Sequence, residues 1–544
     1  RRELIETDVL VAGGGLAGCW AALQAREGGC RVTLVSKGVV GRSGSSVVAA
    51  GTWTDYQPDD DLGGYLRDLL STSDSLDDYR MGQFIYEQSY RCRLAMEGFG
   101  VPWLREDGRL VRRPGLGMTV AQNALFKGGL ELMLPMRAEV LRRGITVLDK
   151  VMLTDLLTAD GCHPTRAEVI GAVGFHVQEG TFYVLRAKAV VLATGDWGLK
   201  SGYHPSDNTG EGQAAAFRAG ATLRNMDQLG YSIVAREGHV SALHAIFGHG
   251  GVLRNRVGRR FMEAYDPVLL ERTSRSKLTY AAARESRDGE ISLDCTHFDE
   301  PTLNRLRKVI PRFFGVVEAN GYDLGKDRIP FTLALYGNGP AGGIRIAPDC
   351  STGVAGLYVA GATSDRAGYI GMNGLNGAAA LGYQAGASAA AFARERPLAE
   401  PDHRQTEQLL GGLIRRLGTR TEATPLSVFQ EAKRIIHEQI GRIKHEQRLR
   451  EAIAALGRLE REVLPGICVQ TPQDLRHLVE LEAVVRLGIL CAEASSQRTE
   501  SRYFNFREDY PDRDDARWLR WITVSLGDQG EAVWGTEEIP RYAG

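Results

Sequence analysis

Hydrophobic and polar positions follow three regimes along this chain. Near the start, Asp8 to Ala12 and Arg31 to Ser36 are short apolar stretches rich in Val and Leu, the pattern of strands buried on both faces. Cys19 to Arg26 between them reads as a helix. Residues 63 to 98 carry apolar groups at helical spacing (Tyr65, Leu66, Leu69, Leu70, then Ile85, Tyr90, Leu94). Gly98 to Arg113 predicts a short hairpin bearing Val101, Trp103 and Leu110, and Ala121 to Arg143 an amphipathic helix closed by Arg142-Arg143-Gly144. Ile145 to Val151 predicts a further strand, and Ala167 to Ala193 a strand-rich stretch turning at Glu179-Gly180. Beyond Arg396 the pattern becomes charged, Leu-rich helices over 404–417, 425–462 and 472–498. Ile435, Ile436, Ile440 and Ile443 recur there at three and four residues, an amphipathic bundle and not a membrane element.

The whole reads as an α/β protein. A Rossmann-like nucleotide-binding domain takes 1–222 and resumes over 341–400. An inserted α+β capping domain of mixed polarity occupies 223–340, and a C-terminal helical domain and tail run over 401–544. At 544 residues several structural units are expected. A formal net charge of −1 points to neither nucleic acid nor an anionic membrane surface as a partner. The eight cysteines are scattered singly, with no C-x-x-C pair, so no metal or iron–sulfur site is expected in this chain, and reduced thiols fit a cytoplasmic setting. No apolar run approaches the ~20 residues that span a bilayer. Arg1-Arg2 runs straight into the first strand, so no signal h-region is expected within these residues, and without an initiator Met the sequence leaves a preceding leader open.

The chemistry is carried by small-residue segments at strand ends. Gly13, Gly15 and Gly18 form a G-x-G-x-x-G between the first strand and its helix. Gly13 permits the turn, Gly15 lets backbone approach a pyrophosphate, Leu16 and Ala17 lie in the same cofactor-binding loop ahead of the helix N-terminus, and Gly18 lets helix and sheet pack closely. A conventional fingerprint ends the second strand in Asp or Glu; here it ends in Ser36-Lys37. Arg42-Ser43-Gly44-Ser45 and the run through Ala50 to Gly51 then predict backbone lying against a flat ligand. Val151 ends the next strand. Ala193-Thr194-Gly195 ends a buried strand, and Asn208-Thr209-Gly210-Glu211 opens a helix. Gly361 ends a third such strand, ahead of a Gly-rich loop holding Asn373-Gly374-Leu375.

Together these segments resemble the flavoprotein subunits of succinate dehydrogenase, fumarate reductase, L-aspartate oxidase and adenylylsulfate reductase. That family has "SK" at the second strand end, an "R-S" with small residues, "ATG", and "N-T-G-D-G", where this chain has Glu211. His249-Gly250-Gly251-Val252-Leu253 and Gly258-Arg259-Arg260-Phe261-Met262 are similar to its "GEGG-x-L…G-x-R-F-M", with His249 at the acid position. Glu500-Ser501-Arg502 and Arg507-Glu508-Asp509-Tyr510-Pro511 match its C-terminal signature. The resemblance implies FAD and a Rossmann-like FAD-binding domain. It implies an arginine at the helix that starts near 275 as proton donor, with Arg275 the better match and Arg272 the alternative. Members often carry an acid after the third strand's "AG"; here Ala362 stands there and Asp365 is the substitute. Some members attach FAD through a histidine where this chain has Gly44, so noncovalent binding is expected.

The pattern departs from the family where dicarboxylates are gripped. No "HPTG" occurs in Met226 to Val234, Asn338 lies near the histidine of the "H-Y-x-M-G-G" motif, Gly374 stands at an arginine position, and Asn505 at a histidine position. Losing two or three charge-assisted hydrogen bonds, each worth about 1.5–3 kcal/mol, costs a succinate or fumarate dianion on the order of 10³-fold in affinity. His244, His249, Tyr336 and Asn338 are the polar groups left in the corresponding segments. The expected function is that of the catalytic component of an FAD-dependent oxidoreductase, converting a small polar substrate other than succinate or fumarate. Electrons would pass to or from a separate iron–sulfur, ferredoxin-like partner. The alternatives are a self-sufficient enzyme like L-aspartate oxidase and a non-catalytic electron-transfer flavoprotein. The expected location is the cytoplasm, alone or peripheral to a membrane complex.

Overall fold

A computed structural model describes residues 1–200, 206–372, 374–419, 421–441 and 443–542; over 336–340 it describes the backbone only. Its centre is a five-stranded parallel sheet in the order Leu357–Val359, Ala189–Leu192, Val9–Ala12, Val32–Ser36, Thr146–Asp149. The first four are buried along their whole length, which accounts for their unbroken Val and Leu content. Leu16–Glu27 and Gly374–Arg394 pack on each other backbone to backbone over this sheet. A Cβ on Gly382 would sit 2.4 Å from Ala17 O, and one on Gly386 2.3 Å from Ala21 O. That contact requires the Gly and Ala composition of the later helix.

A second sheet, Arg2–Glu6, Phe182–Arg186, Val169–His176 and Val151–Thr158, lies beside the first. The inserted capping domain is built on an antiparallel sheet of Leu229–Ala235, Ile329–Pro340, Ile291–Asp294 and Val252–Arg254. Helices Leu243–Gly248, Arg275–Glu285, Glu300–Val309 and Pro311–Ala319 accompany it. The C-terminal helices are His403–Arg415, Pro425–Ile435 extended through Ile436–Ile440, Glu446–Arg458 and Pro472–Gln497. The tail is a hairpin, Arg520–Leu526 with Ala532–Glu538, which pairs with Leu223–Arg224. No helix among the described residues is long and apolar enough to cross a membrane.

Two expected helices come out differently. Residues 121 to 143 divide into a strand, Gln122–Leu125, and a helix, Gly129–Arg142. The strand forms because Ala124 finds Trp53 and Arg112 as antiparallel neighbours, a non-local pairing that overrides the local helical pattern. The stretch 425–462 breaks after Ile440, where a Cβ on Gly441 would lie 1.8 Å from Tyr231 Oη. His445 then caps a new helix, its side chain accepting from Gln447 N–H at 3.2 Å.

Candidate cofactor and substrate cleft

The carboxyl ends of the parallel strands open on a cleft with roughly 2000 Å³ of atom-free space, its mouth included. Gly13, with φ +119°, lays the first loop against the end of the Ala189–Leu192 strand, where an added Cβ would meet Ala193 O at 2.0 Å. A Cβ on Gly15 would meet only Ser46 Oγ at 3.3 Å, so backbone there faces open space. Leu16 N–H donates to that same Ser46 hydroxyl at 3.1 Å, at the start of a twelve-residue helix. Small residues at strand ends, with a helix N-terminus beside them, make a cradle fitted to a dinucleotide pyrophosphate. The cradle's other walls are Ser43 to Ser46, Ala193 to Gly195, and Ala360, Ala362, Gly374 and Leu375.

Charge at the end of the second strand is tied down. Lys37 Nζ lies 2.8 Å from Glu211 Oε1 and 3.0 Å from Glu480 Oε1, and donates to Thr209 Oγ1 at 3.0 Å. Asn208 Nδ2 donates to Ser45 Oγ at 2.9 Å and to Asp196 Oδ1 at 3.1 Å. Asp196 is wholly buried, and burial pushes its carboxyl up to about 7 against the pull of Asn208 and the Arg366 charge.

At the opposite end the capping domain closes over the cleft with His244 and Arg275. Arg275 Nη2 is 3.3 Å from His244 Nε2, and Nη1 donates to Ser232 Oγ at 3.4 Å. Leu116 N–H donates to His244 Nδ1 at 3.3 Å, which assigns the ring proton to Nε2. Two donors therefore face each other here. Burial and the Arg275 charge push the His244 imidazole down to about 3, so it is neutral at physiological pH. Leu116, Met118, Ile370, Met372, Tyr503 and Phe504 complete this end, and Arg366 also lines the cleft.

The cleft brings together Gly13, Gly15, Leu16, Ala17, Ser36, Lys37, Ser43, Gly44, Ser45, Ala50, Val151, Ala193, Thr194, Gly195, Asn208, Glu211, Gly374 and Leu375, with His244 and Arg275. Other expected positions lie off its wall. Gly18 lies behind the first loop, where a Cβ would strike Gly13 O at 1.7 Å. Arg42 is exposed to solvent. Gly51 seats its loop on Phe126, whose N–H donates to Gly51 O at 2.9 Å. Gly361 packs against Ala17, and Thr209 donates to Glu211 Oε2 at 2.8 Å from behind. Asp365 is fully buried and paired with Arg224, which also reaches Glu537 at 2.9 Å. Arg272 is exposed on the Leu270–Arg272 turn, and His249 is exposed with Nδ1 on Ala245 O at 2.7 Å. Asn373 and the side chains of Tyr336 and Asn338 lie outside the described residues.

Sequence reasoning missed Arg366, Asn123, Tyr503 and Phe504. Arg366 had a signal, since it stands in the loop after the third "AG". Asn123 had none, because the strand that presents it exists only through its distant neighbours.

A family model described as "FAD binding domain" matches residues 8–380, and one described as "Fumarate reductase flavoprotein C-term" matches 430–537. The chain is 28% identical to a component of the fumarate reductase (CoM/CoB) of Methanothermobacter marburgensis, over 96% of this chain and 98% of that one. It is 25% identical to an uncharacterized FAD-dependent oxidoreductase of Methanocaldococcus jannaschii, over 97% of each. Among solved structures, FrdA of E. coli quinol fumarate reductase superposes with a TM-score of 0.90 at 23% identity, covering 99% of this chain and 98% of that one.

Proposed function

The chain belongs to the FAD-binding flavoprotein family that includes the subunits of fumarate reductase and succinate dehydrogenase, and from that premise we propose that it is the substrate-converting component of a redox complex whose small substrate is neither succinate nor fumarate. It is an FAD-dependent oxidoreductase. FAD, when bound, supplies two-electron transfer to or from a substrate carbon. The Gly13 to Ala17 loop would hold its pyrophosphate, Ser36, Lys37 and Glu211 its ribose side, and Ser43 to Ser45 with Leu375 its ring end.

The observation that carries this reading is the Arg275–His244 pair at the closed end of the same cleft, 3.3 Å apart, with Gly374 also on the cleft wall where the resemblance puts an arginine in dicarboxylate enzymes of the family. Arg275 is a fixed cation that can stabilise charge developing on the substrate and deliver a proton. His244, neutral and oriented by Leu116 N–H, donates a hydrogen bond from Nε2. Retention of Arg275 and of the capping domain favours a catalytic role over a purely electron-carrying one. Relatives named as subunits of larger enzymes support electron exchange with a separate chain, for which the reading takes an iron–sulfur, ferredoxin-like partner.

An anaerobic screen of dithionite-reduced holoprotein against unsaturated acids and sulfur oxyanions tests the proposal. Reoxidation by at least one such compound, with fumarate inert, is the expected outcome. Reoxidation only by a co-purifying ferredoxin-like chain would contradict it.

A further inference from the structure

We propose that Arg366 anchors the charged end of the substrate, and that the cleft accepts an organic monocarboxylate with an apolar body. The inference rests on reading the cleft as the catalytic site. Among the described residues, the carboxylates on the cleft wall are Asp207 and Glu211. Both lie at the nucleotide end, where Arg476 approaches Asp207 at 3.1 Å and Lys37 approaches Glu211 at 2.8 Å. Beyond those two pairs the described cleft wall carries Arg275 and Arg366 and no further acid, the Arg366 charge also reaching buried Asp196 off the wall, so this wall favours an anion.

Arg366 is built into the wall. It is only 6% exposed, holds φ +58°, and its guanidinium lies 5.2 Å from the centre of the Tyr369 ring. The loop that follows it is clamped by buried Asp77, whose carboxylate accepts from Gly368, Ile370 and Gly371 N–H at 2.7, 2.8 and 2.9 Å. Asp365, beside it, is committed to Arg224. A guanidinium held this way loses little freedom on binding an oxyanion. Gly374, at the arginine position of the dicarboxylate enzymes, lies eight residues further on along the same wall.

The rest of the capped end is apolar: Leu116, Met118, Ile370, Met372, Tyr503 and Phe504. Tyr503 stands where the family signature has glycine, and its hydroxyl donates to Ile370 O at 3.3 Å. Phe504 is held by its own N–H to Gln228 Oε1 at 3.1 Å, and the two rings lie 4.3 Å apart. A second carboxylate laid against these six side chains would meet no cation among them, whereas an alkyl or aryl group fills the space.

Titration of oxidised holoprotein with trans-cinnamate, crotonate, fumarate and succinate, followed by the flavin absorption change, tests this. Cinnamate should bind at least about tenfold more tightly than fumarate. Arg366→Gln should weaken cinnamate roughly 10- to 100-fold, with Arg366→Lys recovering part of the loss. Tyr503→Gly should narrow the gap between cinnamate and fumarate. Fumarate binding as tightly as cinnamate overturns the inference, as does an Arg366→Gln protein with unchanged cinnamate affinity. Should Arg366→Gln fail to fold, the ligand ranking of the unaltered protein decides alone. Weak binding of every monocarboxylate by a holoprotein that another acceptor still reoxidises overturns this inference and leaves the proposed function standing. Reoxidation by fumarate overturns the proposed function itself.

Discussion

Lys37 Nζ lies 3.0 Å from Glu480 Oε1, tying the end of the second nucleotide-binding strand to the Pro472–Gln497 helix. Glu480 is wholly buried and also meets Lys200 and Arg476 (2.9 Å), while Lys37 reaches Glu211 on the cleft wall. The C-terminal helical domain is thereby coupled to the cofactor cradle through buried charge.

Glu480→Gln should lower stability by about 3 kcal/mol, because its cationic partners stay buried with less compensation. Burial raises the Glu480 carboxyl, but Lys37, Lys200 and Arg476 outweigh it and hold it at about 2, below its ordinary 4.5. Its contribution is then fully present above pH 4.5 and lost as pH falls towards 2. Denaturation midpoints of both proteins should differ by a constant amount at neutral pH and converge below that value. A difference that grows on acidification would contradict the account.

His244 should be silent in pH profiles. Burial and Arg275 push it to about 3 from an ordinary 6.5, so turnover between pH 5 and 8 should show no limb belonging to it. His244→Gln is expected to lower kcat/KM while leaving the profile's shape unchanged. An inflection near neutrality that vanishes in the variant would place the imidazole elsewhere in the chemistry.

Arg275→Ala should retain its flavin and lose on the order of 10²–10³ in kcat. Arg272→Ala, at an exposed turn, should stay within about twofold of the unaltered protein. Paired measurements of flavin content and turnover separate the two. Equal losses from both variants would deny Arg275 its role.

Gly44 carries no side chain to bond the flavin, and the space around its Cβ direction is open within 4 Å. FAD should therefore leave with the supernatant on acid precipitation. A yellow pellet would show a covalent link.

The βαβ unit at Val9 to Ser36 was legible because strand, glycine loop and helix are consecutive, and each residue's chemistry acts locally. The same holds for Ala193 to Gly195. What escaped depends on distant neighbours. The Gln122–Leu125 strand exists through Thr52–Thr54, and the break at Gly441 comes from the Tyr231 ring. Asp365 was the natural choice for an acid after the third strand, yet Arg224 and the tail hairpin capture it, and the adjacent Arg366 lines the cleft instead. Of the two candidate proton-donor arginines, only Arg275 reaches the cleft, because the Arg275–Glu285 helix begins there while Arg272 sits on the exposed turn before it.

Stopped-flow mixing of anaerobically reduced holoprotein with fumarate addresses the central claim most directly. The cleft pairs Arg275 with His244 and has no cation at Gly374, so the flavin should stay reduced with fumarate and be reoxidised by a different acceptor. Rapid, saturable reoxidation by fumarate would contradict the account.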